Sequence, residues 1–478
     1  MPDLPNILLI FADQMRGMDM GCAGNPDVIT PNMDRLAEEG MYFPKAYANA
    51  PVCTPSRGSL LTGVYPLSHL AIANDLPIST SIPSIGRLLK DIGYCTGYVG
   101  KWHLDGVPRD KFTPPGPRRL GFDDFWAVWE CSHDYFNAYY YRDTPEPVPI
   151  KGYEPTGQTD LAIEFIEESL KKKVPFFLVL SWGPPHDPYW MVPEEYRSKY
   201  KPDKLTLRPN VKLDTKKLLG SKDATFSPKE TIANYYSAIT ALDEQLGRIL
   251  DFLDENNLSK NTIVIFTSDH GDMLWSQGMM KKEQPFEESI SIPFIIRWPG
   301  HIPAGKKSDS LLSVVDITPS ILGLIKIKTP TGIEGTDLSR MMLGCEEKGP
   351  SSVFLMDVIS TDEGYMQGIR EWRGVRTTRY TYARWQNGEG WILYDNEADP
   401  YQLENLINSP KYKNIKEEME AILQWWLKYT NDPFLKGEEH IRQLGLEKLW
   451  NEREIYMHPN NPRLIQERKE LEDARKKE

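Results

Sequence analysis

Three short apolar runs, each ending abruptly in a polar or aromatic residue, constrain the fold of this chain more than any other feature. Continuous Ile-, Leu- and Val-rich runs of this length are typical of strands buried on both faces of an α/β sheet. Helical patterns lie between them, one of which begins with Thr30 as its cap and Pro31 in its first turn and ends before Gly40. The runs are NILLIFAD (6–13), PFFLVLSW (175–182) and TIVIFTSD (262–269), and further helices are predicted over 158–172 and 230–256. The alternation predicts an α/β domain over residues 1–350, with a large, mostly parallel sheet sandwiched by helices.

The pattern changes after residue 350. WRGVRTTRYTYARW alternates polar and apolar residues, as expected of antiparallel strands with one solvated face. A helix is predicted over 414–428, and the last residues are dense in charges of both signs. We therefore expect a smaller α+β subdomain, an antiparallel sheet plus helix, over 351–457 and a charged tail helix over 458–478.

Composition excludes several classes of function. The chain has 478 residues and a formal net charge of −12, which argues against a nucleic-acid-binding surface. No apolar segment is as long as a membrane span, so no membrane partner is expected. The five cysteines are scattered without metal-ligand spacing, which favours a reducing compartment. The expected location is the cytoplasm, or the periplasm or exterior if a leader has been removed.

Two of the predicted strands end in an aspartate followed by a second polar residue, Asp13–Gln14 and Asp269–His270. Ligand-binding groups of open α/β sheets gather beyond the carboxyl ends of the strands. Two carboxylates, an amide and an imidazole at that edge would hold a divalent cation, Ca²⁺ or Mg²⁺ by the oxygen content and Mn²⁺ by the histidine. The alternative is that each aspartate only caps the helix that follows.

Cys53 opens a segment that reads as a short helix from about Pro55 to Gly63. A cysteine at the N-terminal end of a helix lies where an anion is stabilised, and Arg57 lies one helical turn further on. Cys53 is therefore a candidate thiolate nucleophile, although no nearby histidine marks an activating base. A packed core cysteine is the alternative from these residues alone.

The eleven residues CTPSRGSLLTG (53–63) resemble the C-x-P-S-R-x-x-x-L-T-G signature of the type I sulfatases, in the alkaline phosphatase superfamily. Other sulfatase-like blocks occur in the same order along the chain: PNILLIFADQ, TPNMDRLAEEG, GYVGKWHL, SDHGDMLWSQG and PFEESISIPFIIRWPG. The resemblance implies an alkaline-phosphatase-like fold and hydrolysis of a sulfate monoester. It also implies that a maturation enzyme converts Cys53 to Cα-formylglycine, whose hydrate is the nucleophile.

The resemblance further implies a role for each candidate residue. Arg57 would steady the modified side chain, Lys101 would contact the nucleophile and the sulfate, and His103 would take the proton that drives release of sulfate. His186 would be the acid that protonates the leaving group, and Lys282 would bind sulfate, with Lys281 the weaker candidate. One Ca²⁺ would be held by Asp13, Gln14, Asp269, His270 and the oxygen of residue 53.

Gln14 and His270 depart from many relatives, which carry Asp and Asn at these positions. Glutamine in place of aspartate removes one negative charge from the metal site. The same combination resembles phosphonate monoester and phosphodiester hydrolases that use formylglycine, so these are the second candidate function. A non-catalytic glycan-binding relative is the third.

The segment FWAVWECSHDYFNAYYYRD (125–143) is unusually aromatic and includes Trp129, His133 and Asn137. Aromatic faces beside hydrogen-bonding groups suit the stacking of a sugar ring, so these three residues are candidates for substrate binding. The alternative is an aromatic loop that only packs on the domain. A sulfated glycan or a small sulfated molecule is the expected partner, and the sequence does not indicate an oligomeric state.

Overall fold

The structure is a computed structural model that describes residues 4–212, 227–346, 348–466 and 469. The strands are β1 Asn6–Asp13, β2 Met41–Tyr42, β3 Ala46–Tyr47, β4 Cys95–Lys101, β5 Phe125–Trp129, β6 Tyr139–Tyr140, β7 Val148–Pro149, β8 Phe176–Pro185, β9 Thr262–Ser268, β10 Ser291–Ile292, β11 Phe294–Arg297, β12 Lys306–Lys307, β13 Leu312–Ser313, β14 Ser352–Asp357, β15 Trp372–Thr377, β16 Tyr380–Trp385 and β17 Gly390–Asp395. The helices are α1 Pro31–Glu39, α2 Cys53–Thr62, α3 Pro66–His69, α4 Ile85–Asp91, α5 Glu154–Lys172, α6 Glu194–Arg197, α7 Pro228–Glu255, α8 Glu287–Ile290, α9 Ile317–Leu324, α10 Ser339–Met342, α11 Asp362–Met366, α12 Lys413–Tyr429, α13 Gly437–Gln443 and α14 Glu447–Met457.

The three apolar runs form the centre of an eight-stranded sheet, in the order β12-β2-β11-β9-β1-β8-β4-β5. The five strands from β9 to β5 are parallel, and β11 joins β9 in the antiparallel direction. Strand β1 lies between β9 and β8, with Leu8 paired to Val264 on one side and Leu178 on the other. The predicted large and mostly parallel sheet is confirmed.

Helices cover both faces of this sheet. Successive residues of a strand point to opposite faces, so each face has its own core cluster. Leu8 and Ile10 of β1 lie in a core cluster with residues of α1, α5 and α7. Ile7 and Leu9 lie in a second cluster with residues of α2, α4 and α9. Full burial of each such side chain stabilises the fold by about 1.5–3 kcal/mol. This two-sided burial explains why β1 reads as a continuous apolar run.

A separate four-stranded antiparallel sheet, β14-β15-β16-β17, follows the large domain, and α12 packs on it. The predicted antiparallel sheet in the C-terminal part of the chain is confirmed, and its first strand begins at Ser352. Residues 462–466 of the predicted tail are helical, and most of the later tail lies outside the described residues. No helix in the described part of the chain is long and apolar enough to span a bilayer.

Helix starts differ from the predictions by a few residues. The helix predicted from 158 begins at Glu154, and the one predicted near Pro55 begins at Cys53. Thr30 does occupy the cap position of α1, but its hydroxyl makes no capping hydrogen bond. It accepts instead from the backbone N–H of Gly21 at 2.8 Å. The tertiary contact replaces the local one that the sequence pattern predicted.

Glu154, in the first turn of α5, makes the stability of the fold depend on pH. Burial raises the pKa of its carboxyl to about 8, against opposing hydrogen bonds from Trp129 and Gln158. Since the unfolded chain ionises this group near pH 4.5, the stability it contributes is complete below that pH and is lost as pH rises towards 8. A glutamine cannot ionise, so Glu154→Gln should not show this loss of stability, which amounts to up to about 4–5 kcal/mol in the wild type.

The measurement is the free energy of unfolding by denaturant at pH 5 and pH 8 for the wild type and Glu154→Gln. The wild type should lose more stability than the variant between these two values. Glu167→Gln, at an exposed position of the same helix, should follow the wild type. Parallel pH dependence in the wild type and Glu154→Gln would contradict a neutral buried carboxyl.

Candidate active site

Polar side chains follow four neighbouring strands of the large sheet at their carboxyl ends. Asp13 is the last residue of β1, and Asp269 directly follows β9. Lys101 is the last residue of β4, and His186 directly follows β8. All four side chains are buried. The parallel order of these strands therefore brings together residues that are as far as 256 positions apart in the sequence.

Cys53 begins α2, so its thiol lies at the N-terminal end of a ten-residue helix. Gly63 ends this helix in the left-handed conformation, with φ of 70°, which glycine adopts readily. The Sγ atom lies 3.1 Å from Lys282 Nζ, 3.3 Å from His270 Nε2 and 3.8 Å from Lys101 Nζ. Burial opposes ionisation, but these three groups hold the pKa of the Cys53 thiol well below its usual value.

Four residues with metal-ligating atoms surround this point. Candidate ligand atoms of Asp13, Cys53, Asp269 and His270 all lie within 4.8 Å of one another, and all four side chains are buried. Burial and Cys53 oppose ionisation of Asp13, but Lys101, His186 and Arg57 hold the pKa of its carboxyl well below its usual value. Asp13 is therefore available as a carboxylate ligand at any physiological pH. Two carboxylate groups and an imidazole suit a divalent cation.

The guanidinium of Arg57 joins the two metal-candidate carboxylates beside Cys53. It donates to Asp269 Oδ2 at 2.9 Å and to Asp13 Oδ2 at 3.1 Å. It also donates to the Lys101 carbonyl at 2.9 Å and to Ser181 Oγ at 2.8 Å. Since all of these groups are buried, the arginine fixes both carboxylates in place while offsetting their charge.

Lys282 connects three parts of the site. Its Nζ donates to Gln14 Oε1 at 2.8 Å and lies 2.7 Å from His186 Nε2, besides its contact with Cys53. Lys281, the weaker candidate, points elsewhere and pairs with Asp187 at 3.3 Å. Lys101, whose Nζ lies 3.8 Å from the Cys53 sulfur, forms a very short ion pair with Asp13. Both ammonium groups therefore lie beside the sulfur, an arrangement that suits binding of an anionic group.

His103 lies two residues past the end of β4, outside the extended strand. Strand β4 ends at Lys101, and His103 adopts a left-handed backbone with φ of 55°. Its Nε2 pairs with Asp75 Oδ1 at 3.0 Å, and no described residue partners its buried Nδ1. Burial opposes protonation, but Cys131 and Asp75 raise the pKa of His103 well above its usual value.

The three substrate-binding candidates lie in different surroundings. The imidazole of His133 stacks on that of His186, with ring centroids 4.4 Å apart and planes 8° apart. Trp129 is buried at the end of β5, beside the Glu154 carboxyl. Asn137 lies on an exposed turn, where it donates to Asp134 Oδ2 at 2.9 Å. The structure thus places His133 at the site and Asn137 at the surface.

Sequence reasoning missed four residues that support the site. Asp75 holds His103, and Asp272 accepts from Gln14 Nε2 at 2.6 Å. The other two are Tyr189, which donates to Asp272 at 2.5 Å, and Cys131, which lies 3.8 Å from His133 Nε2. Only Asp272 carried a usable signal, because it lies two residues after His270 in the motif SDHGDM. Asp75 and Tyr189 contact their partners over 28 and 83 positions, whereas Cys131 lies two residues before His133 and was not singled out.

Comparisons with known proteins agree with this arrangement. The sulfatase family model matches residues 5–327, and the model for the C-terminal part of N-sulphoglucosamine sulphohydrolase matches residues 276–428. An ulvan-active sulfatase of Formosa agariphila is 38% identical over 92% of this chain and 84% of its own. An N-acetylglucosamine-6-O-sulfatase of Bacteroides thetaiotaomicron is 27% identical over 92% of this chain and 90% of its own.

Solved structures share the architecture. A Bacteroides fragilis structure named for the sulfatase yidJ has a TM-score of 0.81 and 32% identity, over 90% of this chain and 97% of its own. The phosphonate monoester hydrolase of Agrobacterium radiobacter has a TM-score of 0.72 and 24% identity, over 89% and 96%. This second likeness establishes a shared fold alone. Fold and site together define a hydrolase of the alkaline phosphatase superfamily.

Within that superfamily, the chain belongs to the sulfatase family. It is a sulfuric ester hydrolase, as the resemblance of the CTPSRGSLLTG segment implied. The family model spans the large sheet and every candidate site residue from Asp13 to Lys282. The likeness to the phosphonate monoester hydrolase, at 24% identity, extends to the fold alone, whereas sulfate ester hydrolysis is supported across most of the chain.

Proposed function

We propose that this sulfatase hydrolyses sulfate monoesters on a carbohydrate, with a formylglycine made from Cys53 as nucleophile and a bound Ca²⁺. The observation that carries the proposal is the position of Cys53 at the N-terminal end of α2, where its Sγ lies 3.8 Å from Lys101 Nζ and 3.1 Å from Lys282 Nζ. The thiol marks where the side chain of the matured residue would begin. Two cations beside it suit a sulfate group with its negative charge spread over several oxygens.

The metal part of the proposal rests on the chemistry of the donor set. Ca²⁺ prefers oxygen ligands, which the carboxylates of Asp13 and Asp269 and the amide of Gln14 supply, with His270 completing the protein ligands. A bound cation would stabilise negative charge that develops on the sulfate group and the nucleophile. Arg57 donates to both carboxylates, which holds these two oxygen donors side by side.

The chain's own residues divide the remaining tasks. Lys101 and Lys282 bind sulfate oxygens from two sides and keep them beside residue 53. His103, whose Nε2 is tied to Asp75, keeps Nδ1 for proton exchange with the nucleophile. His186 exchanges a proton with the leaving oxygen through Nε2, the nitrogen that Lys282 contacts at 2.7 Å. Its Nδ1 lies 2.9 Å from the Asp187 carbonyl, which fixes the plane of the ring.

The carbohydrate part rests on the relatives and on the surroundings of His186. Two of the matched descriptions name amino sugars, N-sulphoglucosamine and N-acetylglucosamine. His133 lies beside the proposed leaving-group acid, and burial lowers its pKa to about 4, with a further lowering from His186. A neutral imidazole can donate to or accept from a sugar hydroxyl without competing for the sulfate. His133 therefore suits a sugar-contacting position.

The test begins with the protein from its own host. Its tryptic peptide from Ala46 to Arg57 should carry an aldehyde in place of the Cys53 thiol, measured by mass spectrometry. Matured protein should then release sulfate from sulfated amino sugars and from an aryl sulfate, and removal of Ca²⁺ by a chelator should abolish both. An unmodified thiol in active protein would overturn the formylglycine. A higher kcat/KM for an aryl phosphonate than for the aryl sulfate would favour the phosphonate hydrolase instead.

His186→Ala should separate substrates by their leaving groups. A sugar alcohol leaves poorly without a proton, so kcat/KM for a sugar sulfate should fall by about 10²- to 10⁴-fold. An aryl sulfate needs little proton assistance and should lose far less activity. His301→Ala is the control, because His301 is exposed and stacks on Trp298 instead of any site residue. Equal losses for the two substrates would remove His186 from the acid role.

A further inference from the structure

The carboxamide of Gln14 has two unlike ends, and only one of them suits a cation. Gln14 follows β1, is buried and has a left-handed backbone with φ of 71°. Its Oε1 faces Lys282 Nζ at 2.8 Å, beside the Cys53 sulfur. Its Nε2 points away from the site. If the carboxamide were turned over, its NH₂ group would face an ammonium ion and any bound metal, which would repel it.

Asp272 contacts the far end of this amide. Its Oδ2 accepts from Gln14 Nε2 at 2.6 Å and from the Tyr189 hydroxyl at 2.5 Å. Its Oδ1 accepts from the backbone N–H groups of Leu274 at 2.9 Å and Lys281 at 3.0 Å. The side chain is fully buried and every one of these four partners is a donor. A carboxylate in this place accepts the NH₂ of Gln14 and has nothing to offer to its oxygen.

We propose that Asp272 is a positioning residue that holds the Gln14 oxygen towards the cation and sulfate site, an inference that rests on the metal part of the proposed function. The same carboxylate also binds the backbone of Lys281, next to Lys282. Asp272 therefore sets both partners of the hydrogen bond between Lys282 and Gln14. Residues that orient metal ligands in this way typically change metal affinity by about 10- to 100-fold when replaced.

The first test is Ca²⁺ binding by Asp272→Asn, measured by calorimetry on the matured full-length protein. The oxygen of the new amide would stay with the two backbone N–H groups, so its NH₂ would face the NH₂ of Gln14. Gln14 would then turn over, and the dissociation constant for Ca²⁺ should rise about 10- to 100-fold. Tyr189→Phe is the matched control, because it removes a hydrogen bond to the same oxygen and the long 3.5 Å contact of Gln14 Nε2 with the hydroxyl, and leaves the 2.6 Å contact between Gln14 and Asp272 intact.

The decisive measurement repeats Asp272→Asn in a Gln14→Glu background. A glutamate has two equivalent oxygens and needs no orientation. Asp272→Asn also replaces the carboxylate opposite this glutamate with a neutral amide, which removes the repulsion between two negative charges. Asp272→Asn should therefore weaken Ca²⁺ binding in the wild-type background and leave it unchanged or tighter in the Gln14→Glu background. A merely structural role would weaken binding equally in both, which would overturn the proposal.

Gln14→Glu alone gives a reading that does not depend on whether Asp272→Asn folds. An added carboxylate at a cation site should tighten Ca²⁺ binding, yet here it would face Asp272 across the present 2.6 Å contact. We expect Gln14→Glu to bind Ca²⁺ no more tightly than the wild type at pH 7. Tighter binding would overturn the role of Asp272. Wild-type protein that does not bind Ca²⁺ would instead overturn the metal part of the proposed function.

Discussion

Cys53→Ala should abolish sulfate ester hydrolysis and leave the fold intact. Loss of a nucleophile typically costs about 10⁶-fold in kcat, because the remaining groups bind substrate without a bond-forming partner. The fold should persist, since alanine suits the first turn of α2 and the neighbouring ammonium groups keep other partners. Lys101 retains Asp13, and Lys282 retains Gln14.

The measurement is kcat for an aryl sulfate, with the thermal unfolding midpoint as the check on folding. Cys95→Ala is the matched control, because Cys95 is also buried but lies in β4 at the far end from Lys101. It should retain wild-type turnover. Activity in Cys53→Ala within tenfold of the wild type would place the nucleophile on another residue. The CTPSRGSLLTG segment would then not supply the nucleophile.

The sheet and the convergence of the site were predictable because they follow from local patterns. A buried parallel strand must be apolar on both faces, and its carboxyl end must meet those of its neighbours. The runs ending at Asp13 and Asp269 therefore indicated both the strands and their meeting point. Helix α2 was predictable for a similar reason, since Gly63 ends it in a conformation that other residues adopt with strain.

The parts that were not predictable depend on irregular backbone and on contacts between distant residues. His103 leaves the strand direction through a positive φ, which no spacing rule anticipates. Arg57 bonds to Asp269, 212 positions away, a contact that its spacing from Cys53 does not reveal. Asp272 reaches Gln14 over 258 positions. Such hydrogen bonds are set by the tertiary structure, so only their residue types are visible in the sequence.

Lys282→Ala should have the second-largest effect on catalysis. Its ammonium group contacts residue 53, Gln14 and His186, so its loss removes a sulfate-binding cation and frees two other site residues. Removal of one donor that stabilises transition-state charge typically costs about 10²- to 10³-fold in kcat. Because charge builds up on the sulfate group as the bond breaks, kcat should fall as well as affinity for substrate.

Lys281→Ala is the matched comparison, since the two lysines are neighbours and both are largely buried. Lys281 pairs with Asp187 instead of the sulfur-bearing residue, and we expect its loss to lower kcat/KM far less. Both variants should be assayed on an aryl sulfate. Proton transfer to this leaving group matters little, so any disturbance of His186 as an acid would not lower the measured rate. A larger loss of activity in Lys281→Ala would assign sulfate binding to that lysine. The segment that carries both lysines would then have to rearrange when substrate binds.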